Sequence, residues 1–290
     1  MLHLIIGGAG CGKSTRLIGQ IRKAYEQGER IYALVPEQYS FTNDLKLYEA
    51  LGPTAFNAIQ SLSFTSLARA LFQQYGGRSG EYADDLTKTI LLYQSIRALS
   101  DSSAFSHFDR QAKKPAFQDA AAKAITELRR GSISPEALLE QTARLEGRLR
   151  DKAADLAVLY GDYDRRLQEK GYKDSLTDIT EAAALCAGNE HFKGALLFLD
   201  EFESFTGDQM EFLDVLFAQA KELWITLRTE DPEAPAYSVF DATNATYRRL
   251  LALAQKHRTR HEILLCKEHF RFRYPDLAHV SRSILRPVHT

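Results

Sequence analysis

The chain has 290 residues, 44% of them hydrophobic and 26% charged, which suits one large domain or two ordinary ones and excludes a chain unable to bury a sizeable core. Its 37 basic and 38 acidic residues nearly cancel. Net charge therefore neither announces a nucleic-acid binder nor excludes one, because binding follows the distribution of charge over the surface.

The three cysteines, Cys11, Cys186 and Cys266, are odd in number and far apart, with no CxxC pair and no metal-ligand spacing, so a reducing cytosol is expected rather than a disulfide framework. Met1 runs straight into apolar residues without a basic n-region or cleavage site, and no apolar run approaches the roughly 20 residues of a membrane span. A cytoplasmic protein without a membrane partner is expected. At the other end, Arg286-Pro287-Val288-His289-Thr290 closes on no evident element, so the chain is expected to be a fragment of something longer.

In chain order, Leu2 to Ile6 is a short apolar run with β-branched content, which predicts a strand. It leads into Gly7-Gly8-Ala9-Gly10-Cys11-Gly12-Lys13-Ser14, which fits GxxxxGK[ST] at every position. Glycines let such a loop wrap closely enough for successive backbone N–H groups to face phosphate oxygens, and the following helix adds its positive end. Leu17, Ile18, Ile21 and Ala24 fall at helical spacing within Thr15 to Glu26, so the motif has the strand and helix that a chance match would lack. Residues Gly7, Gly8, Ala9, Gly10, Cys11, Gly12, Lys13, Ser14 and Thr15 form a candidate site for ATP, with Lys13 at the β and γ phosphates and Ser14 on magnesium.

A second strand is predicted at Ile31 to Val35, a helix at Phe41 to Leu51, a third strand at Ala58 to Phe64 and a helix from Thr65 to Tyr75, an opening that implies parallel strands with right-handed crossovers. Gly76-Gly77, Ser79 and Gly80 break the pattern. From Asp84 to Ala187 the texture is helical: Leu86, Ile90, Tyr93 and Ile96 make one apolar stripe, and Leu156, Tyr160, Tyr163 and Leu167 another before a capping Gly171. Ser134-Pro135 and Asp174-Ser175 read as helix starts. The tyrosines lie on the apolar faces and are expected in the core.

Strand signals return at Ala195 to Leu199, followed by a helix containing Phe212 to Phe217, a strand at Leu223 to Leu227, a helix at Ala245 to Lys256 and a strand at Glu262 to Cys266. The expected architecture is an α/β parallel sheet flanked by helices, with residues 1–80 and 189–290 forming one P-loop domain and residues 81–188 a large all-helical insertion. Such a loop needs an acidic residue at a neighbouring strand end, since magnesium takes oxygen ligands and keeps waters whose hydrogen bonds must be accepted. Asp200 stands there as the candidate metal ligand, and Glu201 as the candidate catalytic base that polarises the attacking water. The alternative is a merely polar end to the strand.

The succession of this loop, Val35-Pro36-Glu37-Gln38-Tyr39-Ser40-Phe41, Ser63-Phe64-Thr65-Ser66-Leu67-Ala68, a helical insertion and Leu199-Asp200-Glu201-Phe202-Glu203-Ser204-Phe205-Thr206 resembles the N-terminal part of the B subunit of the bacterial AddAB (RexAB) helicase-nuclease. More loosely the layout is similar to superfamily 1 helicases of the UvrD and RecB kind, with Gln209 nine residues past Asp200. The resemblance implies a protein of double-strand break repair that pairs with an A subunit, binds single-stranded DNA and duplex ends, and reads the recombination hotspot Chi. It also implies a nuclease domain with an iron–sulfur cluster at the far C-terminus, outside this segment. Gln38, Ser40, Phe64 and Arg69 would lie on strand-end loops facing single-stranded DNA, with Phe64 stacking on a base or, alternatively, serving the core.

Departures from a motor helicase accompany the resemblance. Met1 to Ile6 contains no glutamine to read adenine, and Glu203 stands where motors carry a glutamine near the γ phosphate. Nucleotide binding is thus expected of this segment more than translocation. Two alternatives stay open: a motor helicase in its own right, and a small-molecule kinase with Arg129-Arg130 as a lid.

Overall fold

The computed structural model describes residues 1–56, 59–77, 80–234, 239–268, 270, 274, 276–277 and 279–280. Ala58, where the third strand is expected to begin, Ser79 and the closing residues Arg286 to Thr290 lie outside them.

The apolar runs form six parallel strands: β1 (Leu2–Gly7), β2 (Ile31–Leu34), β3 (Ser61–Leu62), β6 (Leu196–Leu199), β7 (Glu222–Leu227) and β8 (His261–Cys266), ordered β3-β2-β6-β7-β1-β8. Leu2, Leu4, Ile5 and Ile6 are fully buried, as are Leu197 and Leu199, because successive side chains point to opposite faces and both faces are covered. Register pairs Ile5 with Thr226, Gly7 with Cys266 and Leu34 with Leu199. Parallel strands end on one edge of the sheet, so the segments after β1, β2 and β6 emerge together there.

Helix α1 (Lys13–Glu26) lays Leu17, Ile21 and Ala24 onto a cluster with Ile5, Ala33, Phe198 and Trp224, and α2 (Ser40–Leu51) adds Leu47. Fully burying a side chain of this size contributes about 1.5–3 kcal/mol, so this cluster alone anchors the sheet face. A four-residue helix, α3 (Pro53–Phe56), precedes β3.

The third strand is shorter than expected, and Phe64 opens helix α4 (Phe64–Tyr75) instead of ending β3. The cause is a reciprocal cap: Ser63 accepts from the Ser66 N–H at 3.1 Å, and Ser66 Oγ accepts from the Ser63 N–H at 2.7 Å.

The described residues cluster into two compact units. The first comprises residues 1–67, 184–205 and 212–290 and holds the sheet; the second comprises residues 68–183 and 206–211. The second unit contains β4 (Glu81–Tyr82), α5 (Asp85–Asp101), α6 (Pro115–Arg130), α7 (Pro135–Thr142), α8 (Gly147–Glu169) and β5 (Tyr172–Lys173), then a 3-10 turn and most of α9 (Asp178–Ala187). Helix α10 (Gly207–Gln219) begins in it and α11 (Asp241–Lys256) belongs to the first.

Two expectations need correction here. The insertion is not all-helical, because β4 and β5 pair in parallel over two residues each, too few for a strand period to show in sequence. Of the expected stripe on α5, Leu86, Ile90 and Tyr93 are exposed, at 66%, 46% and 52%, while Ile96 is buried as expected and faces the core beside Leu91 and Leu92, with Phe105, Ile125, Leu159, Tyr160, Tyr163 and Leu167. Helix α5 carries two apolar stripes, and packing within the unit selects the second. Tyr160 and Tyr163 are core residues as expected, and burial pushes the Tyr163 hydroxyl up to about 12.

Helix starts and stops follow local chemistry. Ser134 accepts from the Ala137 N–H ahead of Pro135, and Asp174 accepts from the Leu176 N–H. Gly171 ends α8 at φ 73°, a conformation glycine adopts without a Cβ penalty.

Candidate functional site

The turn from β1 into α1 is made by Gly7 to Gly12, in which Gly10 and Gly12 have φ of 73° and 84°. Both values are in the left-handed region where a side chain is strained, which is why glycine stands there. Gly7 is required for a different reason. A Cβ at that position would lie 2.5 Å from the Cys266 carbonyl oxygen and 2.5 Å from Cys11 Sγ. One at Gly8 would meet Glu230 Oε1 at 3.1 Å. Gly12 precedes α1 without a side-chain acceptor, and no acidic residue stands in the helix's first turn. The leading N–H groups therefore present unneutralised positive charge. Lys13 Nζ donates to the carbonyls of Gly7 at 2.8 Å and Gly8 at 2.7 Å, folding the ammonium into the loop. Ser14 is half-buried; Ala9 and Thr15 are exposed.

Asp200 follows β6 and is 3% exposed. Its Oδ1 accepts from Thr226 Oγ1 and from the Glu201 N–H, the latter at 3.0 Å, while its Oδ2 is buried without a hydrogen-bond partner. A buried carboxylate oxygen left unpaired costs about 1–3 kcal/mol or more, so it marks a place where a ligand would bring the missing donor. Glu201 has φ 62°, a strained conformation for a non-glycine residue, and its carboxylate is 3.3 Å from Lys46 Nζ on α2. Glu203 pairs with Arg228.

The four residues expected to face DNA are placed differently from one another. Gln38 is exposed in the 3-10 turn Glu37–Tyr39, and Ser40 is half-buried at the start of α2. Phe64 is 2% exposed, edge-on to Phe202, Phe205 and Phe212 at centroid distances of 5.7, 6.2 and 5.8 Å. Its ring is a core element with no face open to a base, and the stacking role is withdrawn. Arg69 is exposed on α4 in the second unit, where its charge acts on Asp178 and Tyr82. Burial raises the Asp178 carboxyl above the usual range despite a hydrogen bond from Tyr82.

Arg129, offered as a kinase lid, is buried instead. Its guanidinium pairs with Asp164 and Asp174 and lies over the rings of Tyr160 and Tyr163 at 5.5 and 5.3 Å. An arginine so engaged within its own unit does not close over a substrate. Gln209 also has a local task, accepting from the Thr206 N–H at the start of α10.

Four residues near the loop and Asp200 escape sequence reading. Thr226 is the one legible in principle, a polar residue inside the apolar strand β7. Glu230 reaches Gly8, and Phe270 donates its N–H to the Gly10 carbonyl at 3.0 Å with its ring edge over Gly12. Cys266 touches Gly7 across the β1–β8 pair. Burial, foremost, holds its thiol above the ordinary cysteine value.

Comparison with known proteins covers nearly all of the chain. The family model "ADDB, N-terminal" matches residues 4–281. The B subunit of an ATP-dependent helicase/deoxyribonuclease from Clostridium perfringens strain SM101 is 31% identical over 260 residues, which is 88% of this chain and 22% of that protein. The protein of the same description from strain ATCC 13124 is 29% identical over 98% of this chain and 25% of its own length. One from Clostridium botulinum strain Hall is 32% identical over 79% of this chain and 20% of its own length. The chain thus spans roughly a quarter or less of the curated relatives it matches. With the family model matched across residues 4–281, this chain belongs to the AddB N-terminal family.

Proposed function

We propose that this chain is the helicase-like, P-loop N-terminal region of an ATP-dependent helicase/deoxyribonuclease B subunit, and that it binds ATP with magnesium at the turn from β1 into α1. The observation that carries the reading is Lys13, folded onto the Gly7 and Gly8 carbonyls at the uncapped start of α1. An ammonium and a row of free N–H groups at a helix N-terminus suit a polyphosphate. Gly7 to Thr15 would wrap the phosphates, and Lys13 would exchange its carbonyl contacts for phosphate oxygens.

Ser14 and Asp200 would hold magnesium, which supplies a Lewis acid that neutralises charge on the phosphates. The donor set fits: both are oxygen ligands, and the orphaned Asp200 Oδ2 has lone pairs that no protein group uses and that a metal-bound water could donate to. Glu201 would orient the attacking water once its contact with Lys46 is released. Gln38, Ser40 and Arg69, all with exposed or half-exposed side chains, remain candidate contacts for single-stranded DNA. A repair role, Chi reading and a cytoplasmic site are carried over from the family resemblance, and the subunit description of the relatives supports a partner chain. Among the described residues no helix is long and apolar enough to cross a membrane.

Calorimetric titration with MgATP tests the reading. Wild type binds, and Lys13→Ala binds at least tenfold more weakly, a loss of about 1.4 kcal/mol or more. Phosphate release stimulated by single-stranded DNA would establish hydrolysis coupled to DNA. Equal binding by wild type and Lys13→Ala would overturn the site.

A further inference from the structure

Nucleotide binding leaves one feature of the loop unused. Cys11 is 3% exposed within it, and Cys266 is the last residue of β8, in register with Gly7. A Cβ at Gly7 would lie 2.5 Å from Cys11 Sγ and 3.0 Å from Cys266 Cβ, so the two side chains converge on one point, from the loop and from the edge strand. Both thiols are free, and Cys11 stands near enough to Cys266 to act on its thiol. A disulfide needs Cβ atoms about 3.5–4.5 Å apart, and two side chains that meet over one glycine are placed to approach that separation.

We propose that Cys11 and Cys266 form an oxidation site whose disulfide staples the loop to β8 and holds it closed. In a reducing compartment such a bond is transient, formed under oxidation and lost on return to reducing conditions. Cys266, half-buried, is the more accessible of the two thiols, and because burial holds it largely protonated its oxidation is slow and needs excess peroxide. Its sulfur attacks one oxygen of hydrogen peroxide, the O–O bond breaks, one water leaves and Cys266 becomes a sulfenic acid. Cys11 sulfur then attacks the Cys266 sulfur, the S–O bond breaks, and the departing hydroxide takes the Cys11 proton as a second water. Two thiols have given two electrons to one peroxide, and a dithiol reductant returns them.

The effect on function rests on the nucleotide reading above. Lys13 is folded against the Gly7 and Gly8 carbonyls, two residues from Cys11, with its Nζ 3.7 Å from Cys11 Sγ. Admitting a phosphate requires Lys13 to swing out and the loop to relax, and a covalent bond from position 11 to β8 removes that freedom.

The test oxidises the chain with hydrogen peroxide, denatures it in iodoacetamide and reads the peptides by mass. Backbone hydrogen exchange of residues 7–13 and MgATP titration follow, before and after dithiothreitol. The expected result is a peptide pair linking Cys11 to Cys266, loop exchange slowed at least tenfold and MgATP affinity lowered at least tenfold. Dithiothreitol reverses all three, and Cys266→Ser shows none. Recovery of Cys11 and Cys266 as unlinked peptides overturns the proposal, and so does a linked chain whose loop exchanges and binds as before. If the reduced wild type fails to bind MgATP, the nucleotide reading falls, while the linkage and the exchange still decide the staple.

Discussion

Asp155 and Asp200 are equally buried, each 3% exposed, one in each unit, and they are used in opposite ways. Asp155 on α8 is saturated. Its Oδ1 accepts from the Ser106 N–H and hydroxyl, both at 3.0 Å, and its Oδ2 accepts from the N–H groups of His107 at 2.7 Å and Phe108 at 2.9 Å. That carboxylate holds the segment between α5 and α6 onto α8, and nothing is left for a ligand. Asp200 leaves Oδ2 without a partner at the edge where the parallel strands end. The second unit pairs its buried charges with one another, Arg129, Asp164, Asp174 and Lys88 being joined in one network in which the Arg129 Nε is left without a hydrogen-bond partner. The first leaves a whole carboxylate oxygen open on the strand-end edge that also carries the loop of glycines and Lys13.

The largest expected effect comes from removing the saturated carboxylate. Asp155→Ala strands three backbone N–H groups, and at about 1–3 kcal/mol for each buried group left unpaired the chain should lose about 3 kcal/mol in urea melts. A loss under about 1 kcal/mol would show that water replaces the carboxylate and would end the contrast.

Gly7→Ala comes next. Its Cβ would press on the Cys266 carbonyl, which is backbone and cannot step aside, so overpacking should lower stability by about 1–3 kcal/mol while far-ultraviolet dichroism stays unchanged. An unaltered melting temperature would mean that β8 yields at that point.

Asp200→Asn sharpens the comparison from the other side. The amide oxygen can still accept from Thr226 and Glu201, and a buried charge with an unpaired oxygen is lost. Stability should change by no more than about 0.5 kcal/mol, while MgATP binding loses its dependence on magnesium. Strong destabilisation would recast Asp200 as a structural carboxylate like Asp155.

The smallest effect concerns pH. Burial, and then the nearby Arg30, hold His191 below the ordinary 6.5, with Nε2 3.2 Å from Arg30 and 2.8 Å from the Tyr32 hydroxyl. A depressed pKa means the fold prefers the neutral ring, so this contribution is whole above pH 6.5 and is lost as pH falls through the folded value. Melting temperature should fall between about pH 7 and about pH 5.5 in wild type and less in His191→Gln, which keeps a neutral polar side chain there. Parallel pH profiles would remove His191 as the cause.

Much of the first unit was legible because its signals are local. Runs of mostly apolar residues at Leu2 to Ile6, Leu196 to Leu199 and Leu223 to Leu227 each report burial on both faces, and the glycines after β1 report a turn that side chains would obstruct. The second unit was less legible because α5 offers two apolar stripes and the residues alone do not rank them. Phe64 shows the same limit at a strand end: its burial depends on Phe202, Phe205 and Phe212, far along the chain, and its place in a helix depends on the Ser63–Ser66 cap.

By itself, then, the sequence determined the parallel α/β pattern, the glycine loop between β1 and α1, and the acidic residue after β6, since each is a property of a few neighbouring residues. Tertiary structure alone decided which face of α5 is buried, that Arg129 and Phe64 are interior, that Asp200 has one oxygen without a partner, and that Cys266 meets Cys11 over Gly7. These depend on which distant segments share a neighbourhood. That is settled by the closing of the sheet and the packing of helices, and no local preference encodes it.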